Sequence, residues 1–107
     1  MNRYLIERTI PGAGSLSADE LQAISQKSVG VLAAMNSRAQ WVHSYVTNDK
    51  IVCEYLAEDE AAVREHGQCG GFPVDAVHLV SAVIDPMTAE AAPGLVVEHR
   101  STPSRGE

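Results

Sequence analysis

The sequence predicts one α+β domain of the ferredoxin-like order β-α-β-β-α-β, a four-stranded antiparallel sheet with two helices on one face. Three observations carry that expectation. A β-rich opening segment breaks at Pro11-Gly12-Ala13-Gly14 and gives way to an amphipathic helical stretch. Two β-rich segments then flank the two-residue turn Asn48-Asp49, and a second helical stretch leads into a last apolar run. A length of 107 residues is that of one domain.

Strand one is read over Arg3–Ile10, rich in Tyr, Leu, Ile and Thr. Ser17-Ala18-Asp19-Glu20 matches a capping box, the serine able to accept a backbone N–H while Glu20 reaches back. Behind it Leu21, Ile24, Ser28, Leu32 and Met35 recur at helical spacing, so helix one is expected to run to about Asn36 with one apolar face. Gln40–Thr47 and Lys50–Leu56 read as strands two and three, since Asn and Asp tolerate the backbone of a tight hairpin turn. Asp59 can cap a shorter helix two through about Gln68, with Val63, His66 and Gly67 inward and Gly70-Gly71 as the stop. Ala76–Ile84, apolar on both faces and closed by Asp85-Pro86, reads as strand four and suits an interior position. The folded domain is placed at residues 1–87. Residues 88–107 are expected to be a largely flexible tail, with Leu95-Val96-Val97 as an apolar island able to dock at an edge.

Composition bounds the function. The chain is 45% hydrophobic and 21% charged with a net charge of −6, the wrong sign for a phosphate backbone, so no nucleic-acid partner is expected. No segment has the length of a membrane span or the pattern of a signal peptide, and a cytoplasmic location is expected. A domain this small buries a modest share of its surface, which makes a homodimer the expected state. Cys53 and Cys69 lack C-x-x-C spacing, so neither a disulfide scaffold nor a soft-metal chaperone loop is in view. There is no G-x-S-x-G and no P-loop. The Gly12–Ser17 loop imitates a dinucleotide fingerprint, but the following strands form a hairpin where that motif needs parallel strands.

The groups able to bind a metal or move a proton concentrate on strands. Glu7 lies in strand one, His43 in strand two, and Cys53 and Glu54 in strand three. Neighbouring strands run about 4.8 Å apart, so side chains of equal phase can meet over one ion. A two-residue Asn48-Asp49 turn pairs His43 with Glu54 and Ser44 with Cys53, whereas a three-residue loop moves His43 opposite Cys53 or Tyr55. The competing reading leaves Glu7 and Glu54 to solvent, His43 as a hydrogen-bonded sheet residue and Cys53 as a small buried hydrophobe. His66, three residues after Val63, faces the sheet and can approach the same region or serve a structural role. Trp41, Tyr45 and Tyr55 can line a pocket, pack a dimer face or serve as core residues. His78 and His99 have no companion at metal-ligand spacing.

Arg3-Tyr4-Leu5-Ile6-Glu7-Arg8, Trp41-Val42-His43-Ser44-Tyr45-Val46, Cys53 with Tyr55, Arg64-Glu65-His66, Gly71-Phe72-Pro73 and Asp85-Pro86 together resemble the motifs of a family of short bacterial proteins. That family was long classed as a domain of unknown function and is now often labelled nickel-binding. The resemblance covers about residues 3–90, and the run from Trp41 to Val46 is its most specific part. It implies a ferredoxin-like fold, a homodimer formed through the sheets in the dimeric α+β-barrel manner, and nickel or another divalent transition metal bound at or near the sheet. Residue by residue it points to Glu7, His43, Cys53 and His66. Glu54, where an apolar residue would suit the strand, and the extension past Glu90 depart from the pattern. The expected function is therefore a non-enzymatic metal-binding protein for nickel storage, buffering or trafficking. The alternative is a small dimeric α+β-barrel enzyme, monooxygenase-like, whose pocket between sheet and helices presents His43, Tyr45 and Tyr55. A dimer without a small ligand is the third option.

Overall fold

The computed structural model describes residues 1–90. The elements are β1 (Asn2–Thr9), α1 (Ala18–Ala34), β2 (Ala39–Val46), β3 (Lys50–Ala57), α2 (Glu60–Gly70), β4 (Ala76–Leu79) and a one-turn α3 (Pro86–Ala89), with a 3-10 turn at Ala13–Ser15. The sheet is antiparallel throughout, in the order β2-β3-β1-β4, which is compatible with the ferredoxin-like arrangement. No helix among the described residues is long and apolar enough to cross a membrane.

Each helix starts where the sequence supplies a cap. Ser17 Oγ accepts the Glu20 N–H at 3.1 Å while Glu20 accepts the Ser17 N–H at 2.8 Å, closing the capping box of α1. Asp59 accepts the Ala62 N–H at 2.9 Å at the start of α2, and Gly71, with φ 71°, ends that helix in the left-handed region that glycine enters freely. The turn of α3 is capped by Asp85 with Pro86 in its first positions.

Strand alternation builds the core. Tyr4 and Ile6 of β1 and Ile51, Cys53, Tyr55 and Ala57 of β3 point to the helices, where Leu32 of α1 and Ala62 and Val63 of α2 cover them. The opposite face carries Leu5, Glu7, Val52 and Glu54, and none of the described helices covers it. The hairpin has the two-residue Asn48-Asp49 turn, with Thr47 N–H donating to the Lys50 carbonyl at 2.8 Å. His43 pairs with Glu54 and Ser44 with Cys53, one of the two registers open in the sequence.

Strand four corrects the expectation of a long interior strand. It ends at Leu79 and, among the described residues, lies at the sheet edge beside β1 alone. Pairing is antiparallel, Tyr4 to Leu79, and the Val80 N–H still reaches the Arg3 carbonyl at 2.9 Å. Val83 and Ile84, apolar enough to suggest a buried strand, are 48% and 77% exposed. The Leu95-Val96-Val97 island lies outside the described residues.

Candidate functional site

The helix-free face of the sheet gathers two imidazole–carboxylate pairs. His43 of β2 and Glu54 of β3 are cross-strand partners, with Nε2 and Oε1 3.1 Å apart, and Arg3 of β1 closes on the other Glu54 oxygen. One step along the sheet, Glu7 of β1 meets His78 of β4 at 2.9 Å and Lys50 of β3 at 3.3 Å. His78 sits opposite Leu5, hence diagonally across from Glu7. Hydrogen bonds from His78 and Lys50 hold the Glu7 carboxyl below its usual range, so it is ionised at neutral pH. Tyr45 stands beside His43 on this face, its ring edge-on at 5.0 Å, and is 62% exposed.

The other two residues singled out for a metal, Cys53 and His66, lie on the opposite side of the sheet. Cys53 pairs with Ser44 and points, like it, to the helices. His66 is 1% exposed in the middle of α2, with Nε2 sharing a hydrogen bond with Ser28 Oγ at 3.1 Å. Burial first, and then the neighbouring Arg8 guanidinium, hold His66 down to about 4, so the ring is neutral. The set Glu7, His43, Cys53 and His66 therefore does not converge on one ion: the thickness of the sheet separates it two against two. Among the described residues no three His, Cys, Asp or Glu side chains gather closely enough to hold a metal.

A cleft opens on the helix side, between α1 and the sheet, enclosing about 500 Å³ that includes some open solvent. Trp41 and Tyr55 line it; Tyr45 and His43 do not. The cause is a β-bulge. Strict alternation would put Trp41, His43 and Tyr45 on one face, but the register slips between Trp41 and His43, leaving Val42 as the extra residue. Trp41 then pairs with Tyr55 on the helix side, its Nε1 donating to Ser44 Oγ at 2.9 Å, while His43 and Tyr45 turn away.

The floor of the cleft holds Arg8, which sequence reading passed over. It is 3% exposed, in phase with Tyr4 and Ile6, and this phase is visible in the sequence as an arginine on the apolar face of a strand. Its Nη1 donates to the Pro73 carbonyl at 2.7 Å and its Nε to Cys53 Sγ at 3.4 Å. The guanidinium lies 5.5 Å from the Phe72 ring centre and 6.0 Å from that of Tyr55, whose phenol is pushed up, chiefly by burial. His78 was also missed, because only the β1–β4 register brings it to Glu7.

No curated protein matches this sequence. Among solved structures, the chain is similar to the crystal structure of SCO4226 from Streptomyces coelicolor A3(2), at 15% identity and a TM-score of 0.66 over 77% of this chain and 99% of that one. At that identity the likeness bears on the fold alone. The family model described as nickel responsive protein SCO4226-like matches residues 4–80, which include both imidazole–carboxylate pairs and the bulged Trp41–Val46 strand. The chain belongs to the nickel responsive, SCO4226-like family.

Proposed function

We propose that the protein binds nickel on the open face of its sheet, in a homodimer that brings two such faces together, and that it stores, buffers or traffics the metal. The carrying observation is the pair of couples His43–Glu54 and His78–Glu7 on one face of the sheet, which none of the described helices covers. Imidazole and carboxylate are donors that suit nickel. Each couple supplies two donors, so water and the facing subunit would complete the coordination, as a twofold axis through the sheets allows. Arg3 and Lys50 neutralise the carboxylates in the meantime and must yield as the cation enters. Exposed Tyr45 on this face, and exposed Val83 and Ile84 beyond the end of β4, give a second copy apolar surface to cover.

Membership of a nickel responsive family supports the choice of ion. The cleft favours a second reading, the dimeric α+β-barrel enzyme. That reading is weakened because His43, its acid–base candidate, stands on the other face. Calorimetric titration of nickel into metal-free protein tests the proposal. His43→Ala and His78→Ala are each expected to weaken binding at least about tenfold, a scale that even outer-sphere partners of a metal reach. Cys53→Ala should leave binding unchanged. Absence of binding by the wild type, or loss in Cys53→Ala alone, would overturn the assignment.

A further inference from the structure

We propose that the cleft between α1 and the sheet is a binding site for a small apolar carboxylate, with the buried guanidinium of Arg8 as its anion partner. Arginine is almost never buried without a counter-charge. Arg8 nevertheless has no ion pair among the described residues, in a chain with 14 acidic side chains and a net charge of −6. Two of its nitrogens are used, on Pro73 and Cys53, and Nη2 is buried with no hydrogen-bond partner. A guanidinium offers its donors as a fork that matches the two oxygens of a carboxylate.

The space beside it has the character of a ligand site. Leu21, Ile24, Trp41, Val46 and Phe72 furnish apolar walls, and the hydroxyls of Ser25, Ser28 and Ser44 punctuate them. Arg8 is the single charged residue among the described residues that line the cleft. One fixed cation in an apolar surround fits a monoanion with a hydrocarbon or aromatic body, and fits a phosphate dianion poorly. The cleft is bounded by Leu21 and Ile24 of α1, which are only half-buried although they belong to that helix's apolar stripe. A bound hydrocarbon body would finish covering them.

Titration of metal-free protein in EDTA with phenylacetate and with octanoate, followed by amide NMR shifts, tests the site separately from nickel. The neutral analogues 2-phenylethanol and octanol are run in parallel. Saturable shifts around Ile10, Ser25 and Ser28 are expected, with the acids bound about tenfold more tightly than the alcohols. Arg8→Lys should narrow that preference. Ser25→Phe, at a half-buried position of α1 that lines the cleft, should fill it and abolish binding in a protein that still folds. Equal affinity for acid and alcohol, no saturable shift, or binding undiminished in Ser25→Phe would each overturn the proposal.

Discussion

Acidification should destabilise this protein earlier than its carboxylates alone would dictate, and His66 is the cause. In the fold its pKa is about 4, against 6.5 for the free side chain. The unfolded chain therefore takes up a proton between these values that the folded chain refuses. Stability is fully present above pH 6.5 and is lost as the pH falls toward 4. The full difference amounts to about 3 kcal/mol at 1.36 kcal/mol per unit, of which about 2.5 kcal/mol is lost between pH 7.5 and pH 4.5. Against a typical domain stability of about 5–15 kcal/mol that is a large share. Urea unfolding followed by the fluorescence of Trp41, the single tryptophan, measures it at a series of pH values and fixed protein concentration. His66→Gln is the control, because an amide can keep the bond to Ser28 Oγ and does not titrate. The gap between wild type and variant should narrow by about 2.5 kcal/mol across that range. Glu7 and Glu20, which titrate at lower pH, are common to both proteins and cancel. Parallel curves, or a folded-state His66 that titrates near 6.5 by NMR, would refute the reasoning.

Three further outcomes follow from particular contacts. Lys50→Met removes the ammonium 3.3 Å from Glu7 and is expected to tighten nickel about two- to fivefold, measured by the same calorimetry at low salt; unchanged or weaker binding would argue against Glu7 as a ligand. In Gly67→Ala the new Cβ would stand 2.5 Å from Val74 Cγ2 and 3.3 Å from the Phe72 carbonyl, so a loss of about 1–3 kcal/mol in urea unfolding is expected. Asp59→Ala removes the cap on the Ala62 N–H and should cost about 1 kcal/mol, read as a lower thermal midpoint.

The fold was legible because its signals are local. The capping box at Ser17, the Asp59 cap, the Asn48-Asp49 turn and the glycine stop of α2 each follow from the chemistry of a few neighbouring residues. What escaped depends on neighbours distant in sequence. Ala76–Ile84 is apolar on both faces whether or not a strand lies beside it, and among the described residues only β1 does, along Ala76–Leu79. The bulge at Val42 has no composition signature, yet it alone decides that Trp41 joins the cleft and His43 the open face. His78 gained its meaning only from a register across 71 residues of chain. Alternation did carry more than was drawn from it, since Tyr4, Ile6 and Arg8 share a phase in β1.

That phase explains why one small sheet can serve two chemistries. Glu7 and Arg8 are adjacent in β1 and therefore project to opposite faces, the carboxylate among cations on the open side and the guanidinium among aromatic rings beneath the helices. β3 repeats the division, with Cys53 under the helices and Glu54 in the open-face network. The imidazole–carboxylate couples thus face the side that none of the described helices covers, and the buried guanidinium faces the side with apolar walls. A dication and an organic anion would meet surroundings of opposite character on either side of a single layer of backbone. Neither site needs the other's residues, so substitutions at Glu7 or His43 should report on the open face alone, and those at Arg8 or Ser25 on the cleft alone.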